Sequence, residues 1–340
     1  MAADAARRPL RLRAAGTKDF YGESLSGEVL DVRPWQGIVA YDPSELVITA
    51  RCGTPLSQIE SALLEHAQLL AFEPPRFDGD PSIGGVIAAG LSGPRRAYAG
   101  AARDFVLGAT LLGASGEVLR FGGQVMKNVA GFDVSRLLCG SLGILGVITE
   151  VSLKVLPLPR AESTLRLELP AAAAIEAFNR WAGSPVPLSG AAWWRGCAWV
   201  RLSGAPAAVR AARERLGGEE LDAEGALQFW NALRDCRLPL FDRARVWRLS
   251  IPSATPPLDL PGESLIDWGG ALRWYADPPA ECDLRALAVT AGGTGQCWRG
   301  PAPTGRFHPL PSAVATLHAR LKQRFDPHGI FNPGRLVAEL

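Results

Sequence analysis

Four segments of this 340-residue chain combine glycines with polar residues in a pattern that suits a phosphate-bearing ligand. Glycine has no Cβ, so consecutive backbone N–H groups in such segments can approach an anion closely. In the first segment, Thr17 and Lys18 add a hydroxyl and a positive charge directly after a predicted strand. We therefore predict a nucleotide site, and the segments that would form it are 13–18, 79–93, 121–136 and 140–154.

The glycine spacing in the fourth segment excludes one common nucleotide fold. A Rossmann fingerprint runs strand, glycine-rich turn, helix, with the spacing G-x-G-x-x-G. Here Gly140, Gly143 and Gly146 are three apart, a short helix is predicted before them, and a strand is predicted at 147–155. Both the spacing and the order of elements point to another architecture.

Each of the other three segments has a plainer interpretation when taken alone. Segment 13–18 is also typical of a strand-to-loop turn, and segment 79–93 of a flexible loop that enters a buried helix. In segment 121–136, polar side chains interrupt an apolar stretch, which surface ion pairs would also explain. Those side chains are Lys127, Asn128, Asp133 and Arg136.

Composition excludes several classes of protein. The chain is 47% hydrophobic and 21% charged with a net charge of +2, which predicts a folded protein without a basic stripe for nucleic acid. No apolar run is long enough to cross a bilayer, and residues 1–13 lack the apolar core of a signal peptide. We expect a cytosolic protein, and docking to a membrane-bound partner stays open.

Cysteine and histidine are not grouped in ways that indicate a metal or disulfide site. The six cysteines form no C-x-x-C pair and are expected to be reduced, buried thiols. The four histidines are isolated, so we expect no protein metal site. The absence of a cysteine motif also predicts no iron–sulfur cluster in this chain.

The apolar pattern predicts the elements that would position the four segments. A helix is expected from Thr54-Pro55 to about residue 67, with Leu56, Ile59 and Leu63 on one face. Residues 105–112 and 117–121 are predicted to form a β-hairpin. The remaining strands of this region are expected at 10–13, 29–32, 38–41 and 45–51.

The composition changes at 157–160, where we predict a domain boundary. The following region alternates strands and helices and contains most of the tryptophans, which either fill its core or form a subunit interface. A last helix at 312–325 is expected to bury Val314, Leu317, Leu321 and Phe325.

Taken together, residues 13–22, 72–104 and 121–155 resemble the FAD-binding domain of the vanillyl-alcohol oxidase/para-cresol methylhydroxylase flavoproteins. More narrowly, they resemble the FAD-binding subunits of glycolate oxidases. The ending Phe325-Asp-Pro-His-Gly-Ile-Phe-Asn-Pro-Gly-Arg335 is similar to one shared with related 2-hydroxy-acid dehydrogenases. The resemblance is strong over 10–160 and 312–336 and faint between them.

The resemblance implies an α+β fold in three parts. Residues 1–160 would form a para-cresol methylhydroxylase-type FAD-binding domain of two α/β subdomains. Residues 161–305 would form an α+β cap domain of the substrate-binding type with an antiparallel sheet. Residues 306–340 would be a helix and tail that return to the FAD domain.

The resemblance also implies roles for individual residues. The pyrophosphate loop would comprise Arg13, Ala14, Ala15, Gly16, Thr17 and Lys18, while Ser82, Ile83, Gly84 and Gly85 would line the pyrophosphate and the flavin ring. Ser141, Gly146 and Ile148 would hold the ribose and adenine, and Asn332 would bring the tail near the isoalloxazine. Gly143 is also expected to bind the cofactor. Cofactor contacts are also expected from Lys127, Gly131 and Asp133.

The chain departs from the family pattern at two places. Ala14 and Ala15 replace two glycines of the usual pyrophosphate loop, which is mild if their φ angles are negative and weakens FAD binding if they are positive. The N-terminus is also expected to lack the helix that usually precedes the first strand. No histidine or cysteine lies at 13–18 or 72–104, where related proteins tether flavin, so we expect non-covalent FAD.

The implied function is that of an FAD-binding subunit in a glycolate-oxidising complex. Its partners would be a second flavoprotein subunit and an iron–sulfur subunit, and the substrate of the complex would be a small 2-hydroxy acid. No catalytic residue is assigned: Arg95, Arg96 and Lys127 are candidates to bind a carboxylate, and Asp133 is the one nearby base. The alternatives are a self-sufficient glycolate or D-lactate dehydrogenase and an assembly subunit with a decayed flavin site.

Overall fold

The computed structural model of the chain describes residues 2–123 and 133–340. Its helices are α1 (Ala2–Ala5), α2 (Leu56–Leu64), α3 (Ile83–Ala89), α4 (Arg96–Ala99), α5 (Ala102–Phe105), α6 (Val134–Leu138), α7 (Ala171–Ala182), α8 (Pro206–Leu216), α9 (Ala223–Arg234), α10 (Leu284–Thr290) and α11 (Ser312–Phe325). No helix in the two described ranges has both the length and the apolarity needed to cross a bilayer.

The strands, numbered in chain order, are β1 (Leu10–Arg13), β2 (Glu28–Asp31), β3 (Ile38–Asp42), β4 (Val47–Arg51), β5 (Gln68–Leu69), β6 (Val106–Leu112), β7 (Val118–Gly122), β8 (Val147–Lys154), β9 (Leu156–Pro157), β10 (Ala161–Glu168), β11 (Leu188–Trp194), β12 (Cys197–Gly204), β13 (Glu219–Glu220), β14 (Val246–Ser250), β15 (Glu263–Asp267), β16 (Leu272–Ala276) and β17 (Thr294–Arg299).

The chain divides into two compact units. The first unit comprises residues 1–92, 100–157 and 309–340. The second comprises residues 93–99 and 158–308, so a short piece of the N-terminal region that includes α4 belongs with the middle of the chain. The functional role expected for each unit stays a prediction.

The first unit is built on a five-stranded antiparallel sheet in the order β3-β4-β8-β6-β7. Strand β4 is buried over its first four residues because branched and small side chains alternate on two covered faces. Helix α3 packs on β4 and β8, and α6 packs on β6 and β7. The predicted hairpin is confirmed as β6 and β7, which pair from Gly108 opposite Gly122 to Leu112 opposite Val118.

A separate parallel pair, β1 and β2, carries the first glycine-containing segment. The C-terminal tail extends this pair, because Leu10 forms a parallel bridge with Phe331. The Leu10 amide donates to Ile330 O at 2.6 Å, and the Asn332 amide donates to Leu10 O at 2.8 Å. The two ends of the first unit's sequence therefore share one small sheet.

The second unit contains an eight-stranded antiparallel sheet in the order β13-β10-β12-β11-β15-β16-β14-β17. An apolar cluster of this unit packs α7 and α8 against β10, β11 and β12, with Phe178 and Ala198 fully buried. Five of its tryptophans are also buried, which supports the core role for them: Trp181, Trp230, Trp268, Trp274 and Trp298.

Two expectations about the chain ends were wrong. A short helix, α1, does precede the first strand. Helix α11 has the predicted bounds, but Val314 is 37% exposed and Leu317 is 57% exposed, and Leu321 and Phe325 are only partly buried. The buried residue of α11 is Lys322, since its ammonium reaches acceptors on three segments of the first unit.

We expect the core of the second unit to depend strongly on Phe178, which is completely buried between α7 and the sheet. Phe178→Ala should lower the free energy of unfolding by about 3–5 kcal/mol, because it leaves a cavity in a packed core. The matched control is Leu227→Ala on α9, whose side chain is 63% exposed. That change should stay within about 0.5 kcal/mol in denaturant unfolding, and an equal cost at the two positions would contradict the assigned core.

Candidate functional site

The first unit contains a cavity of about 850 Å³, including space open to solvent. Its walls come from segments that are far apart in sequence but adjacent in the fold: 12–19 after β1, 81–89 around α3, 142–148 before and within β8, and the tail. The tail contributes Asn332 and Arg335.

The loop after β1 presents unused backbone donors to this cavity. The chain turns at Gly16, where the Asp19 amide donates to Gly16 O at 3.1 Å and φ is +74°. In the described parts of the chain, the N–H groups of Ala14, Ala15, Gly16 and Thr17 make no hydrogen bond. A run of free donors at a cavity wall is the arrangement that binds an anion.

The φ angles of this loop show that the two alanine replacements are mild. Gly16 has a positive φ angle, whereas Ala14 and Ala15 do not belong to the described residues with positive φ. The alanines therefore carry no left-handed strain.

Cations surround the same loop. Arg13, Lys18 and Arg335 line the cavity, together with one acidic residue, Asp19. Asp19 accepts hydrogen bonds from Arg11 Nη2 at 2.6 Å and Arg13 Nε at 3.0 Å, so it is already paired within the chain. With three cations and one anion on its wall, the cavity has the charge to attract a dianionic group such as a pyrophosphate.

Arg335 fixes the shape of the loop that follows. It is 6% exposed, and its guanidinium donates to the carbonyl oxygens of Glu23 at 2.6 Å, Lys18 at 3.1 Å and Asp19 at 2.9 Å, as well as to that of Tyr21. A rigid fork of donors is suited to gathering several carbonyl groups. The tail therefore shapes the first segment as well as lining the cavity.

Helix α3 offers a wall of small residues, namely Gly84, Gly85, Ala88 and Ala89. Ser82 caps the helix, and its Oγ accepts from the Gly85 amide at 3.2 Å. The Gly84 amide donates to Cys52 O at 2.8 Å, so the protein itself uses this donor. Gly84 and Gly85 therefore line the cavity as surface that a flat ring can approach.

The glycine loop, which we define as residues 140–146, is entirely buried from Ser141 onward. The Leu142 amide donates to Ala88 O at 2.8 Å, which ties the loop to α3. Gly146 has φ of +146°, and a Cβ there would lie 2.9 Å from Leu112 O. The loop then enters β8, where Ile148 lies opposite Leu111 of β6.

Asn332 links the tail to both edges of the cavity. Its Oδ1 accepts from the Leu12 amide at 2.7 Å, and its Nδ2 donates to Leu142 O at 2.7 Å. A Cβ on Gly143 would lie 2.8 Å from the same Nδ2, so the close approach requires glycine. Asn332 reaches the cavity, but its amide is engaged with the backbone of two other segments.

Most of the predicted site residues converge on this cavity. Of the eighteen predicted residues, thirteen line it: Arg13, Ala14, Ala15, Gly16, Thr17, Lys18, Ser82, Gly84, Gly85, Gly143, Gly146, Ile148 and Asn332. Ile83 and Ser141 do not line it, since the Ile83 side chain is 0% exposed and Ser141 Oγ donates to Leu138 O at 2.8 Å. Lys127 and Gly131 lie outside the described residues.

The residues proposed for substrate chemistry are placed elsewhere. Asp133 is exposed and caps α6, accepting from the Arg136 amide, and it does not line the cavity. Arg95 and Arg96 belong to the second unit, where Arg95 pairs with Glu162 at 2.8 Å and Arg96 lies 4.2 Å from the centre of the Trp268 ring. Both arginines therefore have structural contacts within that unit.

Sequence reasoning missed several residues of the cavity wall. Cys52 lines it beside Gly84, and burial raises the pKa of its thiol far above the ordinary value. Arg335, the last residue of the C-terminal motif, also lines it. Cys52 could have been found from its position, because it follows the buried strand β4 where the chain turns toward α2.

Comparison with known proteins identifies the cofactor. Residues 1–122 match the family of FAD-binding domains. The chain is 49% identical over 335 residues to the glycolate oxidase subunit GlcE of Escherichia coli (strain K12), a match that covers 98% of this chain and 94% of that protein. It is 34% identical over 167 residues to the glycolate oxidase subunit GlcD of Bacillus subtilis (strain 168), covering 47% of this chain and 34% of that protein.

A solved structure shows the fold. Alkyldihydroxyacetonephosphate synthase superposes with a TM-score of 0.68 at 15% identity, covering 98% of this chain and 74% of that one. The free donors, cations and bare backbone of the cavity fit an FAD dinucleotide. The match to FAD-binding domains and the glycolate oxidase relatives define an FAD-dependent oxidoreductase. Within this class, the chain belongs to the family of the glycolate oxidase subunit GlcE.

The two neighbouring glycines of α3 provide a matched test of the cavity wall. A Cβ on Gly84 would lie 2.6 Å from Cys52 Cβ and 2.7 Å from Cys52 O, whereas a Cβ on Gly85 would meet Ser82 Oγ at an ordinary 3.4 Å. Gly84→Ala should lower stability by about 1–3 kcal/mol through overpacking, and Gly85→Ala should not lower it. Thermal unfolding of the two variants checks this, and equal melting temperatures would contradict the described contact.

The φ angles of the loop after β1 generate a second prediction. Because Ala15 has no positive φ, restoring the family glycine relieves no strain and adds freedom to the unfolded chain. Ala15→Gly should therefore lower the free energy of unfolding by about 0.4–1 kcal/mol. Urea unfolding measures this change, and a more stable variant would show that Ala15 is strained in solution.

Proposed function

We propose that this chain is the FAD-binding subunit of a 2-hydroxy-acid-oxidising complex of the glycolate oxidase type. The supporting observation is that the near-full-length relative is a glycolate oxidase subunit and that thirteen predicted residues of the flavin site line one cavity. In the complex, this subunit takes part in carrying electrons from glycolate toward an iron–sulfur subunit.

The residues of the first unit hold the cofactor. When bound, FAD supplies the electron-transfer chemistry through its own ring. The N–H groups of residues 14–17 would donate to the pyrophosphate, and Arg13 and Lys18 would offset its charge. Gly84 and Gly85 would leave space for the flat ring, and residues 143–148 would hold the ribose and adenine.

We propose that the flavin is bound without a covalent link. A tether needs a nucleophile, and Cys52 is the cysteine on the cavity wall. Burial raises the pKa of this thiol, so at neutral pH it stays protonated and is a poor nucleophile.

Substrate oxidation is assigned to a partner, a second flavoprotein subunit. Removing the hydroxyl proton of a 2-hydroxy acid needs a base, and residues 161–305 contain no histidine. Asp133, the one acidic candidate, serves as a helix cap, and Arg95 is paired with Glu162. This chain therefore offers the flavin a binding site and offers the substrate few groups that suit its chemistry.

The experiment that tests the proposal measures flavin in the purified full-length chain. We expect about one FAD per chain, released into the supernatant by acid precipitation. A chain that neither contains FAD nor takes it up would contradict the flavin function, and flavin that remains in the precipitate would contradict non-covalent binding.

Glycolate addition separates the subunit role from a self-sufficient dehydrogenase. We expect the flavin absorbance of the isolated chain to persist when glycolate or D-lactate is added anaerobically. It should bleach when the co-purified complex receives glycolate. Rapid bleaching of the isolated chain would overturn the assignment of substrate oxidation to a partner.

A further inference from the structure

A buried ammonium group, that of Lys322, donates a hydrogen bond to the glycine loop. Lys322 is 6% exposed, and its Nζ donates to Ile144 O at 2.8 Å, Asp326 Oδ2 at 2.7 Å and Phe331 O at 2.8 Å. An ammonium group has three donors, and here each has its own acceptor, one in the glycine loop and two in the residues that follow α11. Lys322 thus joins α11, the tail and the loop that lines the cavity.

The partner of this ammonium is equally well satisfied. Asp326 is 1% exposed, and its carboxylate accepts from the Ile330 amide at 3.1 Å and the Phe331 amide at 2.8 Å in addition to Lys322. A buried ion pair is retained at low cost only when further hydrogen bonds complete it, as they do here. The pair therefore fixes the turn that leads to Asn332.

Two carbonyl groups of the glycine loop are held by this tail. Asn332 Nδ2 donates to Leu142 O at 2.7 Å, and Lys322 Nζ donates to Ile144 O at 2.8 Å. These carbonyls lie on either side of Gly143, which lines the cavity. Because a trans peptide is planar with its N–H opposite its C=O, holding a carbonyl also sets the direction of the amide that follows it.

Asn332 extends the same linkage across the cavity. Its Oδ1 accepts from the Leu12 amide at 2.7 Å, at the start of the segment that bears the free donors of residues 14–17. The two sides of the cavity, which belong to different sheets, are thus joined through one tail.

We propose that Lys322 and Asn332 are positioning residues that couple FAD binding to docking of the C-terminal tail, residues 326–335. The inference rests on the proposed flavin function. The docked tail sets the glycine loop and the pyrophosphate loop in their binding geometry, and bound FAD in turn stabilises the docked tail. Because such coupling is reciprocal, each event strengthens the other by the same factor.

Two variants remove the hydrogen bonds from the tail and α11 to the glycine loop in different ways. Lys322→Met/Asp326→Asn removes the donor to Ile144 without leaving a buried unpaired charge. Asn332→Gly removes both side-chain hydrogen bonds, and glycine tolerates the φ of +41° at this position. The matched control is Arg320→Met, which removes a cation from the exposed face of the same helix.

The first measurement is the Kd for FAD of each apoprotein, from flavin fluorescence at a temperature well below unfolding. We expect each tail variant to raise Kd about tenfold, a loss of one or two net hydrogen bonds in orienting the site. Arg320→Met should keep the wild-type value. A purely structural role would lower the melting temperature and leave Kd of the folded protein unchanged, and that result would overturn the proposal.

The second measurement uses the wild-type chain alone, so it does not depend on whether a variant folds. Amide hydrogen exchange of residues 326–335 should slow about tenfold when FAD saturates the protein, by the same reciprocity. Exchange that is unaffected by bound FAD would overturn the coupling while leaving the flavin function intact. A wild-type chain that binds no FAD would instead overturn the proposed function.

Discussion

The cavity of the first unit depends on hydrogen bonds between backbone segments that no single sheet contains. Leu12 and Asn332 are 320 residues apart in sequence, and one side-chain oxygen joins them. The parallel pair β1–β2 and strand β8, which follows the glycine loop, belong to separate sheets, and Asn332 joins their segments by bonding Leu12 on one side and Leu142 on the other. Because much of the cavity wall is glycine and main chain, its shape depends on the relative placement of these segments.

Charge is handled differently in the two units. In the first unit, Asp19 accepts hydrogen bonds from both Arg11 and Arg13, so the cations at the cavity wall outnumber the acidic groups. The buried Lys322 is paired with Asp326, so its charge is neutralised within the protein. In the second unit, Arg273 is 1% exposed, and it donates to Gly270 O at 2.6 Å and Thr255 O at 2.7 Å. Burial lowers the pKa of this guanidinium, which nevertheless stays charged because arginine titrates so high.

The sequence was sufficient to predict local elements and most of the cavity wall, because those follow from short patterns. The bounds of α11 and the β6–β7 hairpin could be read from periodicity, and the glycine positions indicated where backbone is bare. The exposure of Val314 and Leu317 could not be predicted, because periodicity shows that a helix has an apolar face but not whether another element covers that face. Likewise, Cys52 and Gly84 meet through tertiary packing, which a local pattern does not encode.

The dependence of the cavity on Asn332 and Arg335 has a consequence for biosynthesis. A ribosome makes these residues after the whole second unit, yet they join Leu12 and the carbonyls of residues 18–23, which are made before that unit. The nascent N-terminal part of the first unit therefore lacks the contacts of Asn332 and Arg335 while the second unit is being made. A chain truncated before residue 332 would lack both sets of contacts and would leave the cavity wall incomplete.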